Sequence, residues 1–383
     1  MLSKSFYDDT ICMGEVFVMS EKFDIIQFLK SAVATGASDE HLKVGHPPYI
    51  RKNGFIKKIN MEPLSKEDLD SAILEIAPTA IKDKILTMCD VDFMYEIKGY
   101  SRFRINYNRQ IGLPALVVRN ISYSIPQIHE LSLPSILSDI INEQNGIILV
   151  TGPTGSGKST TIASLIDEIN TNSSKHIVTI EDPIEYVFGC KKSIISQRQV
   201  GVDTNSYSDG IKYALRQDPD VIFIGEIRDK ETMAAALKAS ETGHLVLSTL
   251  HTNDAVQTIN RIVNMFEESN RYLVRKQLSD TLRATIAQKL VFSEKYQKRF
   301  PACEIMVVTS TIRDYINKDN TDEIYELLSD NTIDNMISLN TSLAQLVDKE
   351  CISQEEALHN SNDESALEKI FRGVYQGTKA YYE

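Results

Sequence analysis

A glycine-rich segment near the middle of the chain carries the clearest chemical signal. Residues 152–159 read Gly-Pro-Thr-Gly-Ser-Gly-Lys-Ser and fit the pattern G-x-x-x-x-G-K-[ST]. They follow the apolar run Ile147–Val150 and precede an apolar, helix-like stretch, which is the strand–loop–helix setting that this pattern requires. Glycines allow backbone N–H groups to turn inward around phosphates, and the start of the helix adds a favourable dipole. The segment therefore predicts a phosphate-binding loop for a nucleotide.

Side chains of this loop have separate expected roles. We expect the ammonium group of Lys158 to reach the β and γ phosphates, and the hydroxyl of Ser159 to coordinate Mg²⁺. The predicted nucleotide-binding residues of the loop are Gly152, Pro153, Thr154, Gly155, Ser156, Gly157, Lys158, Ser159 and Thr160.

Carboxylates follow two further apolar runs. Glu226 ends one run about seventy residues after Lys158, which is the place where a Walker B acid holds Mg²⁺ or its water. Glu181, Asp182 and Glu185 follow the other run. Because the carboxyl ends of strands in a doubly wound sheet face the ligand crevice, we expect these acids opposite the triphosphate and the metal. Glu181 and Glu185 are the candidate bases for the attacking water and Asp182 and Glu226 the candidate Mg²⁺ ligands, and it stays open whether Glu226 takes the proton instead.

Two histidines bracket another apolar run. His244 and His251 lie seven residues apart. An extended strand of that length spans roughly 23 Å, so the two side chains cannot share one metal ion unless the strand is short and the chain turns. We expect one histidine to sense the γ phosphate and the other to contact a neighbouring domain. His251 is assigned to the catalytic set and His244 to the nucleotide-binding set.

The composition of the chain is that of an ordinary globular protein. Its 383 residues are 42% hydrophobic and 25% charged, which suits two or three folded domains. The 41 basic and 53 acidic residues give a net charge of −12. A negative molecule repels phosphate backbones, so nucleic acid is not an expected partner.

Cysteine usage and hydropathy indicate the compartment. The five cysteines are odd in number and form no C-x-x-C pair, so we expect neither a disulfide nor a zinc site. No apolar run approaches the roughly 18 to 20 residues that span a bilayer, and the first residues contain no signal-peptide core. These patterns predict a cytoplasmic protein in a reducing environment.

Periodicity divides the chain into five parts. Residues 1–20 show no clear pattern, 21–121 read as a small α+β domain, and 122–134 form a polar, proline-bounded linker. Residues 135–311 alternate buried apolar strands with helical stretches, which predicts an α/β domain whose parallel sheet carries helices on both faces. Residues 312–383 read as a helical region that ends in a polar tail.

The small domain contains two local signals. Ser65 and Asp68 have the spacing of a capping box, which predicts the start of a helix. Residues 100–119 alternate as strands, with Arg102 and Arg104 on the face opposite the apolar residues. Arginines that share one strand face suggest a function for that face.

Four segments resemble, in order and spacing, the Walker A, Asp, Walker B and His boxes of the secretion ATPases. They are 152–159, Thr179–Tyr186, Leu215–Asp229 and Thr242–Thr252. Within that superfamily the chain is most similar to the pilus retraction ATPases, the PilT and PilU family. The likeness begins near Phe23 and also covers Gly36–Asp39, Gly45–Pro48, Ser101–Asn106 and Gln197–Gly201.

The resemblance implies a hexameric cytoplasmic motor that couples ATP hydrolysis to retraction of type IV pili and so to twitching motility. It also implies a PAS-like N-terminal domain and a RecA-like core, with ATP and Mg²⁺ held between domains. In the family, arginines of the small domain reach the triphosphate, which assigns charge stabilisation in the transition state to Arg102, Arg104 and Arg119. The implied partners are further copies of this chain, the inner-membrane platform protein of the pilus and a paralogous retraction ATPase.

The sequence also departs from the family. Residues 1–20 match nothing in it, and Thr309–Ile316 only approximates the C-terminal signature of the retraction enzymes. Three segments, Gly201–Thr204, Leu215–Gln217 and Ile352–Leu358, lean toward PilU. One alternative is a pilus-assembly or type II secretion ATPase, although such chains usually add an N-terminal domain and a tetracysteine zinc segment. The other is an accessory PilU-like subunit that hydrolyses ATP weakly.

Overall fold

The computed structural model describes residues 23–52, 54–121, 125–329 and 335–373. The chain divides into two compact units, one up to Ser124 and one from Ile125 onward. This division falls inside the segment 122–134, whose role as a linker stays a prediction. The segment 1–20 lies outside the described residues.

The described part of the first unit is a six-stranded sheet with three helices. Its elements are α1 (Ile25–Ala34), β1 (Asp39–Lys43), β2 (Tyr49–Lys52), β3 (Phe55–Lys58), α2 (Lys66–Ile76), α3 (Thr79–Thr87), β4 (Asp90–Ile97), β5 (Ser101–Gln110) and β6 (Leu113–Ile121). The strands pair antiparallel in the order β3-β2-β1-β6-β5-β4. The predicted α+β character of this part is confirmed.

Local sequence patterns position these elements. Ser65 and Asp68 form the predicted capping box, and α2 begins at Lys66, directly after Ser65. Alternate residues of β5, among them Phe103 and Ile105, are buried in one core with residues of α1, α2 and α3. Arg104 and its even-numbered neighbours therefore lie on the opposite face of the sheet.

The described part of the second unit is a seven-stranded sheet with eleven helices. Its elements are α4 (Ile136–Ile140), β7 (Gly146–Thr151), α5 (Lys158–Asn172), β8 (His176–Glu181), β9 (Ile194–Gln199), α6 (Tyr207–Ala214), β10 (Val221–Ile224), α7 (Lys230–Glu241), β11 (Leu245–Leu250), α8 (Ala255–Asn264), α9 (Glu268–Thr281), β12 (Leu282–Ser293), β13 (Lys298–Val307), α10 (Ser310–Lys318), α11 (Thr321–Ser329), α12 (Leu339–Asp348), α13 (Gln354–Asn360) and α14 (Glu364–Phe371). The strand order is β13-β12-β7-β11-β10-β8-β9, and every pair is parallel except β12 with β13.

Helices cover both faces of this second sheet. One core joins strand residues such as Ile148 and Phe223 to α4 and α5, and the other joins residues such as Ile147 and Ile222 to α6 through α11. The central strands β7, β10 and β11 are buried along their whole length, as expected of a parallel sheet between two helical layers. The predicted α/β fold is thus confirmed.

The antiparallel edge of the sheet was not part of the sequence-based expectation. β12 and β13 form a long hairpin, and its far end packs against α12, α13 and α14 around Val291 and Phe300. Among the described residues, no helix combines the length and the apolar character that a membrane crossing needs.

Candidate nucleotide site

The glycine-rich loop joins β7 to α5 at the carboxyl end of a central strand. Gly152 has a φ of 142°, and a Cβ there would lie 2.3 Å from the backbone oxygen of Gln288. Gly157 has a φ of 90°, and a Cβ there would lie 2.7 Å from the side-chain nitrogen of Gln288. Conformation and space therefore both require glycine at these two positions.

Lys158 is held against this loop. It is 8% exposed, and Nζ donates hydrogen bonds to the carbonyl oxygens of Gly152 at 2.7 Å and Pro153 at 2.9 Å. Burial lowers the pKa of its ammonium group, while the nearby carboxylates of Glu226 and Glu185 act in the opposite direction. The cation predicted to bind phosphates thus lies at the loop with carboxylates beside it.

Glu226, just beyond β10, connects several predicted site residues. One carboxylate oxygen lies 2.9 Å from Nε2 of His251, and the other lies 2.7 Å from a guanidinium nitrogen of Arg228. The second ring nitrogen of His251 lies 3.5 Å from Nζ of Lys158. Burial alone would raise the pKa of Glu226, but the hydrogen bond and charge of Arg228, with His251 and Lys158, outweigh it and hold the pKa below its usual value. The structure therefore brings Lys158, Glu226 and His251 together, and their roles in one site stay a prediction.

Glu181 is the buried acid at the end of β8. It is 6% exposed, and Oε1 accepts hydrogen bonds from the hydroxyl of Thr179 at 2.6 Å and the amide of Gln197 at 3.2 Å. Burial raises its pKa to about 7 in spite of these bonds. A carboxyl group with such a pKa can take and release a proton near neutral pH. Asp182 is exposed and Glu185 half-buried in the loop that follows.

Crowding explains why a glycine precedes Glu226. A Cβ on Gly225 would lie 3.1 Å from the hydroxyl of Tyr207 and 3.4 Å from Cα of Glu181. The N–H of Gly225 donates to the carbonyl oxygen of Ile180 at 2.8 Å. This close approach places the acid-bearing ends of β8 and β10 side by side.

His244 lies at the amino end of the parallel strands, whereas the glycine-rich loop lies at their carboxyl end. His244 precedes β11, and its carbonyl oxygen accepts from the N–H of Gly146 at the start of β7. The six residues of β11 separate it from the loop by about 20 Å. Its Nδ1 lies 2.9 Å from the carbonyl oxygen of Ala239, at the end of α7. A nucleotide-binding role for His244 stays a prediction.

The three arginines proposed for the triphosphate all lie in the first unit, on β5 and β6. Arg104 and Arg119 are directly opposite each other in the antiparallel register. Nε of Arg119 donates to Asp39 at 2.9 Å. Nε of Arg102 is buried and has no hydrogen-bond partner within the described residues. The catalytic role of these arginines stays a prediction.

Three residues that sequence reasoning gave no role support the site. The hydroxyl of Tyr186 lies 3.1 Å from that of Thr160 and so links the acidic loop to α5. Gln197 bonds to the carbonyl oxygen of Tyr186 at 2.8 Å as well as to Glu181. Gln288 bonds to the glycine-rich loop. No sequence signal singles out Gln288, because five of the twelve residues of β12 are polar.

The residues predicted for Mg²⁺ offer oxygen ligands, which this ion prefers. Ser159 lies in the first turn of α5, while Asp182 and Glu226 follow β8 and β10. No group of three or more His, Cys, Asp or Glu in the described part of the chain could hold a metal by itself. The buried hydroxyl of Ser156 has no hydrogen-bond partner among the described residues, and a phosphate oxygen fits as its missing partner. The residues present therefore fit Mg²⁺ that is held largely by phosphates and water.

Comparison with known proteins identifies the family. The family model described as type II/IV secretion system protein matches residues 116–381. The type IV pilus retraction ATPase PilT of Pseudomonas aeruginosa is 40% identical over 335 residues, which is 87% of this chain and 97% of PilT. The type IV pilus ATPase PilU of the same organism is 35% identical over 346 residues, which is 90% of this chain and 92% of PilU.

A solved structure has the same architecture. The crystal structure of the pilus retraction motor PilT with bound ADP matches with a TM-score of 0.84 at 42% identity, and it covers 91% of this chain and 100% of the PilT chain. The ADP in that structure agrees with a nucleotide-binding role for the family. This chain is therefore an ATP-hydrolysing member of the type II/IV secretion system family.

Proposed function

We propose that this chain is the motor that retracts type IV pili and thereby drives twitching motility. The observation that carries the proposal is the 40% identity with PilT across 97% of that protein. The proximity of Lys158, Glu226 and His251 supports it, because a retraction motor must hydrolyse ATP. The 35% identity with PilU makes an accessory motor role the second candidate.

Residues of the site divide the work of hydrolysis. Lys158 binds the β and γ phosphates of ATP. Ser159, Asp182 and Glu226 are the residues that would hold Mg²⁺, which supplies charge neutralisation of the transferred phosphoryl group. Glu181, whose pKa is about 7, takes the proton of the attacking water, and Glu185 is the second candidate for that role.

Force production needs further copies of the chain. A homohexamer would hold ATP between domains, where Arg102, Arg104 and Arg119 add positive charge to the transition state. Closure of one interface after another would turn hydrolysis into domain rotation. At the cytoplasmic side of the inner membrane, this rotation would act on the pilus platform protein. A paralogous retraction ATPase is the proposed second partner.

Deletion of the gene in its native host tests this function. Surface pili are counted by electron microscopy and surface motility is measured on plates. Abundant pili with lost motility support a retraction motor, and the wild-type gene must restore motility while Lys158→Ala at equal protein level must not. Absent pili would instead indicate an assembly or secretion ATPase. Unchanged pili with weakened motility would indicate an accessory subunit.

A further inference from the structure

Gln288 lies directly beside the glycine-rich loop. It belongs to β12, the strand that pairs with β7, and it is 3% exposed. In the parallel register Ala287 lies opposite Thr151, the last residue of β7, so Gln288 lies beside the start of the loop. Its backbone oxygen is the atom that a Cβ on Gly152 would meet. β12 therefore packs so closely against the loop that no side chain fits at Gly152.

Both ends of the Gln288 amide are bonded, one to the loop and one to the helix. Nε2 donates to the backbone carbonyl oxygen of Ser156 at 2.7 Å. Oε1 accepts from the hydroxyl of Thr161 at 2.7 Å, in the first turn of α5. A single side chain thus fixes the two segments on either side of Lys158.

The chemistry at this position requires an amide. Among side chains of this length, only glutamine offers both an N–H donor and a carbonyl acceptor. A glutamate would leave the carbonyl oxygen of Ser156 without a donor and would add negative charge beside the phosphates. A methionine would fill a similar volume but make neither bond. Because a buried carbonyl without a partner is unfavourable, the loop is expected to shift when the donor is removed.

We propose that Gln288 is a positioning residue for nucleotide binding. By holding Ser156 and Thr161 in place, it keeps the loop between them in the shape that receives phosphates. Gln288 acts through the backbone of the loop and does not itself touch the nucleotide. The inference deepens the proposed function, since it rests on the same nucleotide site.

The variant Gln288→Met tests this role on the purified full-length protein. We expect the Kd for ADP and for ATP to rise about ten-fold, because both bonds to the loop and helix are lost. The KM for ATP should rise in parallel, and kcat should stay within about two-fold because the catalytic acids are unchanged. A purely structural role would lower the amount of active enzyme, and so kcat, while Kd and KM stayed the same.

Lys289→Met is the matched control on the same strand. Lys289 Nζ bonds away from the loop, to the carbonyl oxygen of Asn360 at 3.1 Å and the side chain of Asn362 at 2.9 Å. The nucleotide affinity of Lys289→Met should stay within about two-fold of the wild type, because the bonds from Gln288 to Ser156 and Thr161 remain. An equal loss of affinity in Lys289→Met and Gln288→Met would overturn the proposal.

A second variant covers the case in which Gln288→Met does not fold. Thr161→Val removes only the bond from the helix to Gln288 and keeps the side-chain shape, so we expect a rise of about three-fold in the Kd for ADP. Wild-type affinity in a folded Gln288→Met, or in Thr161→Val if that is the variant measured, would overturn the positioning role alone. A wild-type protein that bound no ADP would overturn the nucleotide site, and the positioning role with it.

Discussion

Glu181 and Glu226 end neighbouring strands but experience opposite environments. Burial raises the pKa of Glu181 to about 7, whereas Arg228 and His251 overcome the effect of burial on Glu226 and hold its pKa below the usual value. When the pKa values of two nearby carboxyl groups are pushed apart in this way, one group usually transfers protons and the other stabilises charge. At the residue scale this supports the proposal that Glu181 is the base, whereas Glu226, whose charged form Arg228 and His251 favour, would hold Mg²⁺.

The variant Glu226→Gln should separate nucleotide binding from hydrolysis. An amide keeps the volume of the side chain but loses the charge that pairs with Arg228 and would coordinate Mg²⁺. We expect ATP affinity within about three-fold of the wild type and a loss of turnover of about 100-fold or more. Phosphate release and equilibrium nucleotide binding measure the two quantities. Glu231→Gln, at an exposed position in α7, is the control and should keep both the wild-type ATP affinity and the wild-type turnover. Preserved turnover in Glu226→Gln would remove Glu226 from the essential set.

Site residues were predictable where a motif fixes their place on a strand end. Lys158, Glu226 and His251 come together because the motifs lie at the carboxyl ends of parallel strands, which share one edge of the sheet. His244 shares a motif with His251 but lies at the amino end of β11, away from the loop. Gln288 could not be assigned from its spacing, because its contact with the loop depends on the pairing of β12 with β7 far along the chain.

Elements were predictable to the extent that their signals are local. The capping box of Ser65 and Asp68 marks the start of α2 within four residues of sequence. The apolar runs of the central strands predict burial on both sides. The hairpin of β12 and β13 has no such signal, because the connecting residues 294–297, Glu-Lys-Tyr-Gln, contain none of the Gly, Asn or Asp that mark a hairpin turn.

The contact between β13 and α8 contains a buried acid, Glu304, whose protonation changes with pH. Glu304 on β13 is 7% exposed, and its carboxylate accepts from the N–H of Ala255, the first residue of α8, at 2.8 Å. Burial raises its pKa to about 7, and the charge of nearby Asp254 acts in the same direction. In the unfolded chain its pKa would be near 4.5, so the native state binds the extra proton between about pH 5 and 7. The contribution of Glu304 to the free energy of unfolding is therefore fully present at low pH and is lost as the pH rises toward 7.

Glu304→Gln should flatten this pH dependence. The amide oxygen can still accept from Ala255, but it carries no charge to desolvate when the pH rises. A shift of this size corresponds to a free energy of the order of 3 kcal/mol, so the fall in Tm between pH 5 and pH 8 should be clearly smaller than in the wild type. Thermal unfolding at both pH values measures it. Glu62→Gln, an exposed acid, should keep the wild-type difference, and an unchanged difference in Glu304→Gln would contradict the assignment.

On the scale of the whole molecule, the arginine face of the first unit carries two unequal ion pairs, of which the one between Arg119 and Asp39 is short, at 2.9 Å. Arg104 and Arg119 lie opposite each other on β5 and β6, and the salt bridge of Arg104 to Asp92 is long, at 3.9 Å. A weak, exposed pair of this kind contributes little to stability. The proposed assembly would give Arg104 a role that this ion pair does not, because its charge would face the triphosphate of ATP.

Arg104→Ala should reduce hydrolysis without preventing nucleotide binding. An arginine that stabilises charge in the transition state is worth about 10³-fold or more in turnover, and its removal leaves the loop and Lys158 unchanged. Steady-state phosphate release and ADP affinity measure the two effects. Arg109→Ala on the same strand is the control, since Arg109 bonds to Tyr107 within the first unit. Equal turnover in the wild type and Arg104→Ala would remove Arg104 from the catalytic set.

Direct observation of pilus retraction tests the central claim. Pili are labelled with a fluorescent dye on living cells of the native host, and extension and retraction are followed by time-lapse microscopy. We predict that deletion of the gene abolishes or strongly reduces retraction while extension continues. The wild-type gene should restore retraction, and Lys158→Ala should not. Retraction at the wild-type frequency in the deletion strain, or its restoration by Lys158→Ala, would contradict a role for this chain as the retraction motor.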